Sequence, residues 1–299
     1  MSGSGNSGIA VPLYRHALEL RPDAHATELG RASYLEVSLH RHVQESMGSV
    51  SDIDDQPWMN WDRRIVLVDS LIDLHFRFRM RREVLYLCWN IIDRYMTRRV
   101  ITSREYKLLG CSALWIAAKA MDNNDRVPSA EELSRCCRYR YYSDAFVHME
   151  VNILRTLGWI LRYPTAEEWL QMLCHSPAPH NEEVEVLHSA RFIMEITLYY
   201  REFIGYSPSA IALASLTLAR RVCGKERRVL EETQECLEVV QHLDDRLSEI
   251  DEVELSEILI EKYSSDYYLN AAARVVEYYE QGGRFIGASH FGLDRDANR

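Results

Sequence analysis

A chain of 299 residues with 47% hydrophobic and 27% charged side chains has a globular composition and is long enough for one large domain or two ordinary ones. Thirteen glycines and eight prolines exclude a collagen-like or broadly disordered chain, and no apolar run reaches the ~18 residues of a membrane span. The net charge of −10 is uneven, with 22 basic against 20 acidic residues up to position 163 and 13 against 25 beyond it, so strong nucleic-acid binding is not expected.

Residues 1–57 read as a leader. It begins MSGSGNSGIAVPLYRH, without the basic start and long apolar core of a signal peptide. From Ala32 to about Met47, Leu35, Leu39 and Val43 recur four apart and predict an amphipathic helix; Gly48 to Pro57 reads as an acidic linker. Beyond it nearly every segment has a helical period. Ile65, Val68 and Ile72 form one stripe, extended by Leu67, Leu71 and Leu74. Val84, Cys88, Ile91, Ile92 and Tyr95 form the next. Thr102 with Glu105, Ser129 with Glu132 and Thr165 with Glu168 are capping-box starts. Phe146, Met149, Ile153 and Leu157 make a stripe that ends near Gly158. Arg162-Tyr163-Pro164 is a natural joint, because the residue before proline is pushed out of the helical region. No alternating strand pair with turn chemistry is found, so the class is all-α.

Leu108–Met121 is apolar on every face except for Lys119, the pattern of a helix wrapped by others. Ala113–Ala117 finds an echo 102 residues later in Ser215–Ala219. That is either a chance match of two Ala/Leu-rich helices or the trace of a unit of about 100 residues used twice. Lys119 is costly on a buried helix unless it is paired or reaches water. It either snorkels past the helix end or emerges on a surface made for a partner. Glu150 is either an ordinary flank charge or the other half of a polar clamp with Lys119. Arg64 and Asp93 sit mid-helix near buried faces, where a bidentate pair could lock two helices together.

Several motifs are discounted. Residues 3–8 match GxGxxG but follow no strand. His40 and His42 are two apart and do not share a helix face. Asp244 to Glu252 fits D-D-x-x-S-x-x-x-E and resembles the second metal motif of terpene synthases, yet Asp122-Asn123-Asn124-Asp125 lacks the paired aspartates such enzymes need upstream. Arg77, Arg79, Arg81 and Arg82, interleaved with Phe76 and Phe78, read as a loop between helices. Seven cysteines without a CxxC pair fit free thiols in a reducing compartment, so an intracellular chain is expected. No catalytic residue, metal site or cofactor is expected.

Four motifs in order resemble the cyclin family: Arg64 with Val68-Asp69-Ser70-Leu71, Asn90–Met96 as N-x-x-D-R-[FY]-[LM], Leu114–Lys119, and Met149–Trp159 as M-E-x-x-[IVL]-L-x-x-L-x-[FW]. The match runs from about Trp58 to at least Gly224, and the second half looks most like fungal G1/S-type, Cln-like cyclins. The resemblance implies two five-helix cyclin folds in tandem with an N-terminal helix outside. The boxes would cover residues 58–163 and 164–281, with a short flexible tail at 282–299. It implies a regulatory subunit, not an enzyme, that activates a cyclin-dependent kinase in control of the G1/S transition. Lys119 and Glu150 would hold backbone groups around the kinase's PSTAIRE-type helix, with apolar contact from Leu154, Trp159 and Leu161. Arg64 and Asp93 match the buried structural pair of the box. Cyclins that dock R-x-L substrates carry a Met and a Trp on the first helix. Here Arg63 and Ser70 stand there, leaving Val66 and Leu67 as the docking residues for substrates or inhibitors. The only R-x-x-L match, Arg82 to Leu85, lies in a core helix and makes no clear destruction box. A nuclear and cytoplasmic location is expected, with no membrane partner. The alternative is a cyclin-fold adaptor of the transcription-factor type that activates no kinase.

Overall fold

The computed structural model describes residues 47–161, 163–175, 182–249 and 255–285; the helix expected at 32–47, His40, His42 and the GxGxxG match lie outside these or at their very edge. The described residues form twelve α-helices and no strand. α1 (Val50–Asp54) precedes two bundles. The first is α2 (Trp61–Arg77), α3 (Arg82–Met96), α4 (Tyr106–Met121), α5 (Ala130–Cys136) and α6 (Ser143–Thr156). The second is α7 (Ala166–Cys174), α8 (Val184–Ile196), α9 (Pro208–Val222), α10 (Gln234–Ser248), α11 (Glu257–Tyr263) and α12 (Ala271–Glu280), so the short α11 is added to the five expected helices.

Each bundle is built around its third helix. In α4 every residue from Leu108 to Ala118 is buried. Leu109, Leu114 and Ile116 each contribute ~1.5–3 kcal/mol by leaving water. Gly110 admits α2 closely: a Cβ there would meet Leu67 Cδ1 at 2.7 Å. α9 is the counterpart in the second bundle, with ten buried residues between Pro208 and Ala219. The five-residue echo thus falls on equivalent helices.

Local chemistry sets the ends. The capping boxes at Ser129 and Thr165 are both fully formed. At Thr102 the Glu105 carboxylate accepts from the Thr102 amide at 3.2 Å, but residues 103–105 form a turn and the helix starts only at Tyr106. α6 stops where Gly158 and Trp159 both take φ 62°, the left-handed region that lets the Trp159 amide turn back to the Leu154 carbonyl at 2.8 Å.

Three readings are corrected. The stretch read as an acidic linker carries α1, capped by Ser49, with Ile53 fully buried. Gln56 then donates to the Met96 and Arg99 carbonyls, each at 2.7 Å, and so ties this stretch to the end of α3. Ile65, placed on the apolar stripe, is 39% exposed, because its neighbours on α2 already fill the inward face. The first residues of the expected tail are anchored: Arg284 Nε and the Phe285 amide donate to Asp244 at 2.9 and 2.8 Å.

The bundles are held together by polar bonds as well as apolar packing. Arg64 Nε donates to the Leu198 carbonyl at 2.9 Å. Tyr199 donates to Asp69 at 2.8 Å, and Gln171 to Glu83 at 3.1 Å. The second bundle hides two ion pairs of its own, Arg191–Glu167 at 2.6 Å and Lys262–Glu195 at 2.7 Å.

Candidate functional site: a protein-binding face on the first box

Lys119 lies in the last turn of α4, beyond the buried run. Its ammonium reaches both Glu150 oxygens, at 2.7 and 2.8 Å, across to α6. It also sits 3.2 Å from the centre of the Trp115 ring, one turn back on α4. That ring is itself fixed, because its Nε1 donates to the Pro128 carbonyl at 2.7 Å. Lys119 therefore leaves the core by snorkelling, and Glu150 pairs with it once it is outside.

The side chains are 37% and 17% exposed, which makes this a rim pair. Such pairs contribute only ~0.2–1 kcal/mol, so exchanging the bond for bonds to a visitor costs little. Lys119 can donate to a peptide carbonyl, and Glu150 can accept from a peptide N–H. The couple is therefore suited to the two polar groups of another chain's backbone.

An apolar ledge flanks it. Val147 and Leu154 lie three residues before and four after Glu150, on the same face of α6; Val147 is 45% exposed and Leu154 half-buried. The turn after α6 presents Trp159 and Ile160, 66% and 52% exposed, while Leu161 is half-buried against the core. Arg94, buried on α3, holds this turn by donating to the Ile160 carbonyl at 3.0 Å. Burial first, and Arg98 second, lower the Arg94 pKa. Exposed apolar side chains on one helix and the turn after it make this a candidate contact surface. Sequence reasoning missed Val147 and Ile160. Val147 was detectable by its i−3 spacing from Glu150; Ile160 depended on the left-handed turn.

Arg64 and Asp93 form the expected bidentate pair, at 2.6 and 3.1 Å. Arg64 is 2% exposed and stacks 4.3 Å from the Trp89 ring. Burial works against its charge, but Asp93 outweighs it and raises the Arg64 pKa. The pair also does more than join two helices, since its third bond runs to Leu198 in the second bundle.

The docking residues separate. Val66 is 66% exposed, whereas Leu67 is 3% exposed and packs onto Gly110. Leu67 is therefore corrected from a docking residue to a core residue: adjacent helical positions lie about 100° apart, and α2 turns 67, 68, 71 and 72 inward. Asp244, the first aspartate of the discounted metal motif, is 2% exposed and is occupied by Tyr279, Arg284 and Phe285. Of the four arginines read as a loop, Arg79 and Arg81 lie on the short α2–α3 connection, whereas Arg77 ends α2 and Arg82 begins α3.

Comparison with known proteins fits this architecture. Residues 35–162 match the cyclin N-terminal domain and residues 164–277 the cyclin C-terminal domain. The G1/S-specific cyclin CCN1 of Candida albicans (strain SC5314 / ATCC MYA-2876) is 38% identical over 185 residues, covering 56% of this chain and 27% of that protein. The G1/S-specific cyclin CLN2 of Candida albicans is 28% identical over 186 residues, 58% of this chain and 40% of that protein. The G2/mitotic-specific cyclin cdc13 of Schizosaccharomyces pombe is 27% identical over 250 residues, 81% of this chain and 50% of that protein. The aligned parts thus span about a quarter to a half of these relatives. Among solved structures, a viral cyclin from herpesvirus saimiri superposes with a TM-score of 0.57 at 19% identity, covering 66% of this chain and 89% of that one. A chain of the yeast RNA Pol II CTD kinase CTDK-1 complex superposes with a TM-score of 0.56 at 14% identity, covering 76% and 87%. The structural likenesses speak for the fold, and the two consecutive domain matches speak for the lineage: the chain belongs to the cyclin family.

Proposed function

We propose that this chain is the regulatory subunit of a cyclin-dependent protein kinase, which it binds and activates, and that it acts at the G1/S transition. The observation that carries the reading is the Lys119–Glu150 couple at the rim of an exposed apolar ledge. The G1/S-specific names of the Candida albicans relatives support the timing. In this reading Lys119 and Glu150 bind backbone groups around the kinase's regulatory helix, and Trp159, Ile160 and Leu154 cover its apolar side. The kinase alone keeps that helix out of place and lacks the Lys–Glu pair that positions phosphate. A rigid helical surface that binds the in-place conformation more tightly shifts the kinase toward it without supplying a catalytic group.

The test is a pull-down from a fungal extract, followed by binding and activity measurements with the kinase that co-purifies. Lys119→Ala combined with Glu150→Ala should weaken binding by ~10-fold or more, because a desolvated polar pair at an interface is worth more than an exposed one. Unchanged affinity and activation in the folded double variant would falsify the assignment of this face.

A further inference from the structure

The sulfur atoms of Cys111 and Cys137 lie 3.6 Å apart in the core of the first box. Cys111 is in the middle of α4 and fully buried; Cys137 follows the last residue of α5 and is 6% exposed. They are 26 residues apart on different elements, so only the packing of the box brings them together. The chain leaves Cys137 through Arg138 and Tyr139, both exposed and both at φ 54°, a conformation that side-chain-bearing residues seldom adopt.

We propose that Cys111 and Cys137 form an oxidation site, at which a hydroperoxide closes a disulfide between α4 and the end of α5. Going from 3.6 Å to the ~2.05 Å of an S–S bond requires about 1.5 Å of movement. The strained turn directly after Cys137 is the place where the backbone gives. Cys137 is the attacking thiol. Either thiol can donate to the other; when Cys111 donates, its S–H and the nearby Lys107 ammonium lower the Cys137 thiol pKa against the opposing effect of burial. Burial foremost, helped by Glu182 at Cys174 and by Glu232 at Cys236, pushes those two thiols the other way, up to about 12. The thiolate is the reactive form, and Cys137 joins that lowering to a partner sulfur 3.6 Å away.

The electrons balance in two steps. The Cys137 thiolate attacks one peroxide oxygen; the S–O bond forms, the O–O bond breaks, and the leaving hydroxide takes up the proton that Cys137 released, forming water. Cys111 then attacks the sulfur of the Cys137 sulfenic acid. The S–S bond forms, the S–O bond breaks, and the departing hydroxide takes the Cys111 proton to give a second water. Two thiols are oxidised and one hydroperoxide is reduced. The closed loop contains Lys119 and ends shortly before α6, so the bond would brace the frame beneath the proposed kinase-facing couple. That consequence rests on the proposed function, whereas the oxidation site does not.

The experiment treats the full chain with hydrogen peroxide at pH 7, quenches, alkylates in denaturant and maps the peptides by mass spectrometry. The free thiols should fall from seven to five, with a Cys111–Cys137 linked peptide that disappears on reduction. Loss of these two thiols should run ~10-fold or more faster than loss of Cys174 and Cys236. In Cys111→Ser, provided circular dichroism shows a folded chain, the link should vanish and Cys137 should be trapped as sulfenic acid by dimedone. Recovery of Cys111 and Cys137 as unoxidised thiols while other cysteines react, or a link from either one to Cys136 or Cys88, would overturn the proposal. The mapping of the unaltered chain decides this without any variant.

Discussion

The two boxes share a frame and differ at its edges. The echo that aligns Ala117 with Ala219 also aligns Lys119 with Arg221, each just past the buried stretch of its central helix. Lys119 meets Glu150 on a helix of its own box and is flanked by exposed Val147, Trp159 and Ile160. In the second box Arg221 is exposed, and its neighbour Arg220 is occupied by Glu182 and the Glu226 carbonyl, groups that fasten local loops. Repetition of a core therefore does not repeat a surface. The apolar periodicity builds the frame twice, and the rim side chains differ between the copies: Lys119 pairs across to Glu150 in the first, whereas Arg221 stands exposed in the second.

The largest effect expected is on the buried pairs. Asp93→Ala should destabilise the chain by ~3 kcal/mol or more in a urea melt, because it strands a guanidinium that is 2% exposed. Glu195→Ala should cost about as much by stranding Lys262 in the second box. A neutral result at Asp93 with a large one at Glu195 would break the likeness of the two frames.

Acid should act next. Among the described residues each box buries one histidine: burial foremost, helped by Lys262, holds His75 down to about 3, and burial foremost, helped by Arg191, holds His188 down to about 4. A histidine depressed below its unfolded value contributes stability that is complete above pH ~6.5 and is lost as pH falls toward the folded value. For His75, 5% exposed, the loss should reach about 2 kcal/mol at pH 5. Melts at pH 7, 6 and 5 check this, and His75→Gln should flatten the slope; an unchanged slope would show that this histidine is not what senses the acid.

The capping boxes sharpen the comparison further. Thr165→Ala should cost ~1 kcal/mol, and Ser129→Ala no more than that, since Thr165 is fully buried while the Ser129 bonds are exposed. A thermal melt that ranks them the other way would place the weaker joint in the second box. The smallest effect on stability belongs to the Lys119 and Glu150 double replacement, within ~1 kcal/mol. A large loss there would mean that the couple supports the frame and is not a free rim.

Much of the fold was legible because its signals are local. The stripe Val84, Cys88, Ile91, Ile92 and Tyr95 is buried throughout, and the Ser129 and Thr165 boxes start helices where expected. Lys119 and Glu150 were legible as anomalies, charges next to apolar runs. Some of the misread residues are ones whose partners lie far along the chain. Gly48 to Pro57 looks like a linker until Ile53 and Gln56 find α3; Leu67 already stood on the apolar stripe with Leu71 and Leu74, and only its docking assignment beside Val66 failed, because it packs onto Gly110.

By itself the sequence determined the helical class, the central helix of the first box, the helix starts at Ser129 and Thr165, the stop near Gly158, and the lineage motifs, because periodicity, capping and left-handed stops act within a few residues. The tertiary structure alone decided that Arg64 reaches Leu198 across the boxes, that Ile160 stands outward under the hold of Arg94, and that Cys111 meets Cys137. Those outcomes follow from the angle and depth at which whole helices pack, and side-chain spacing along one helix does not contain them.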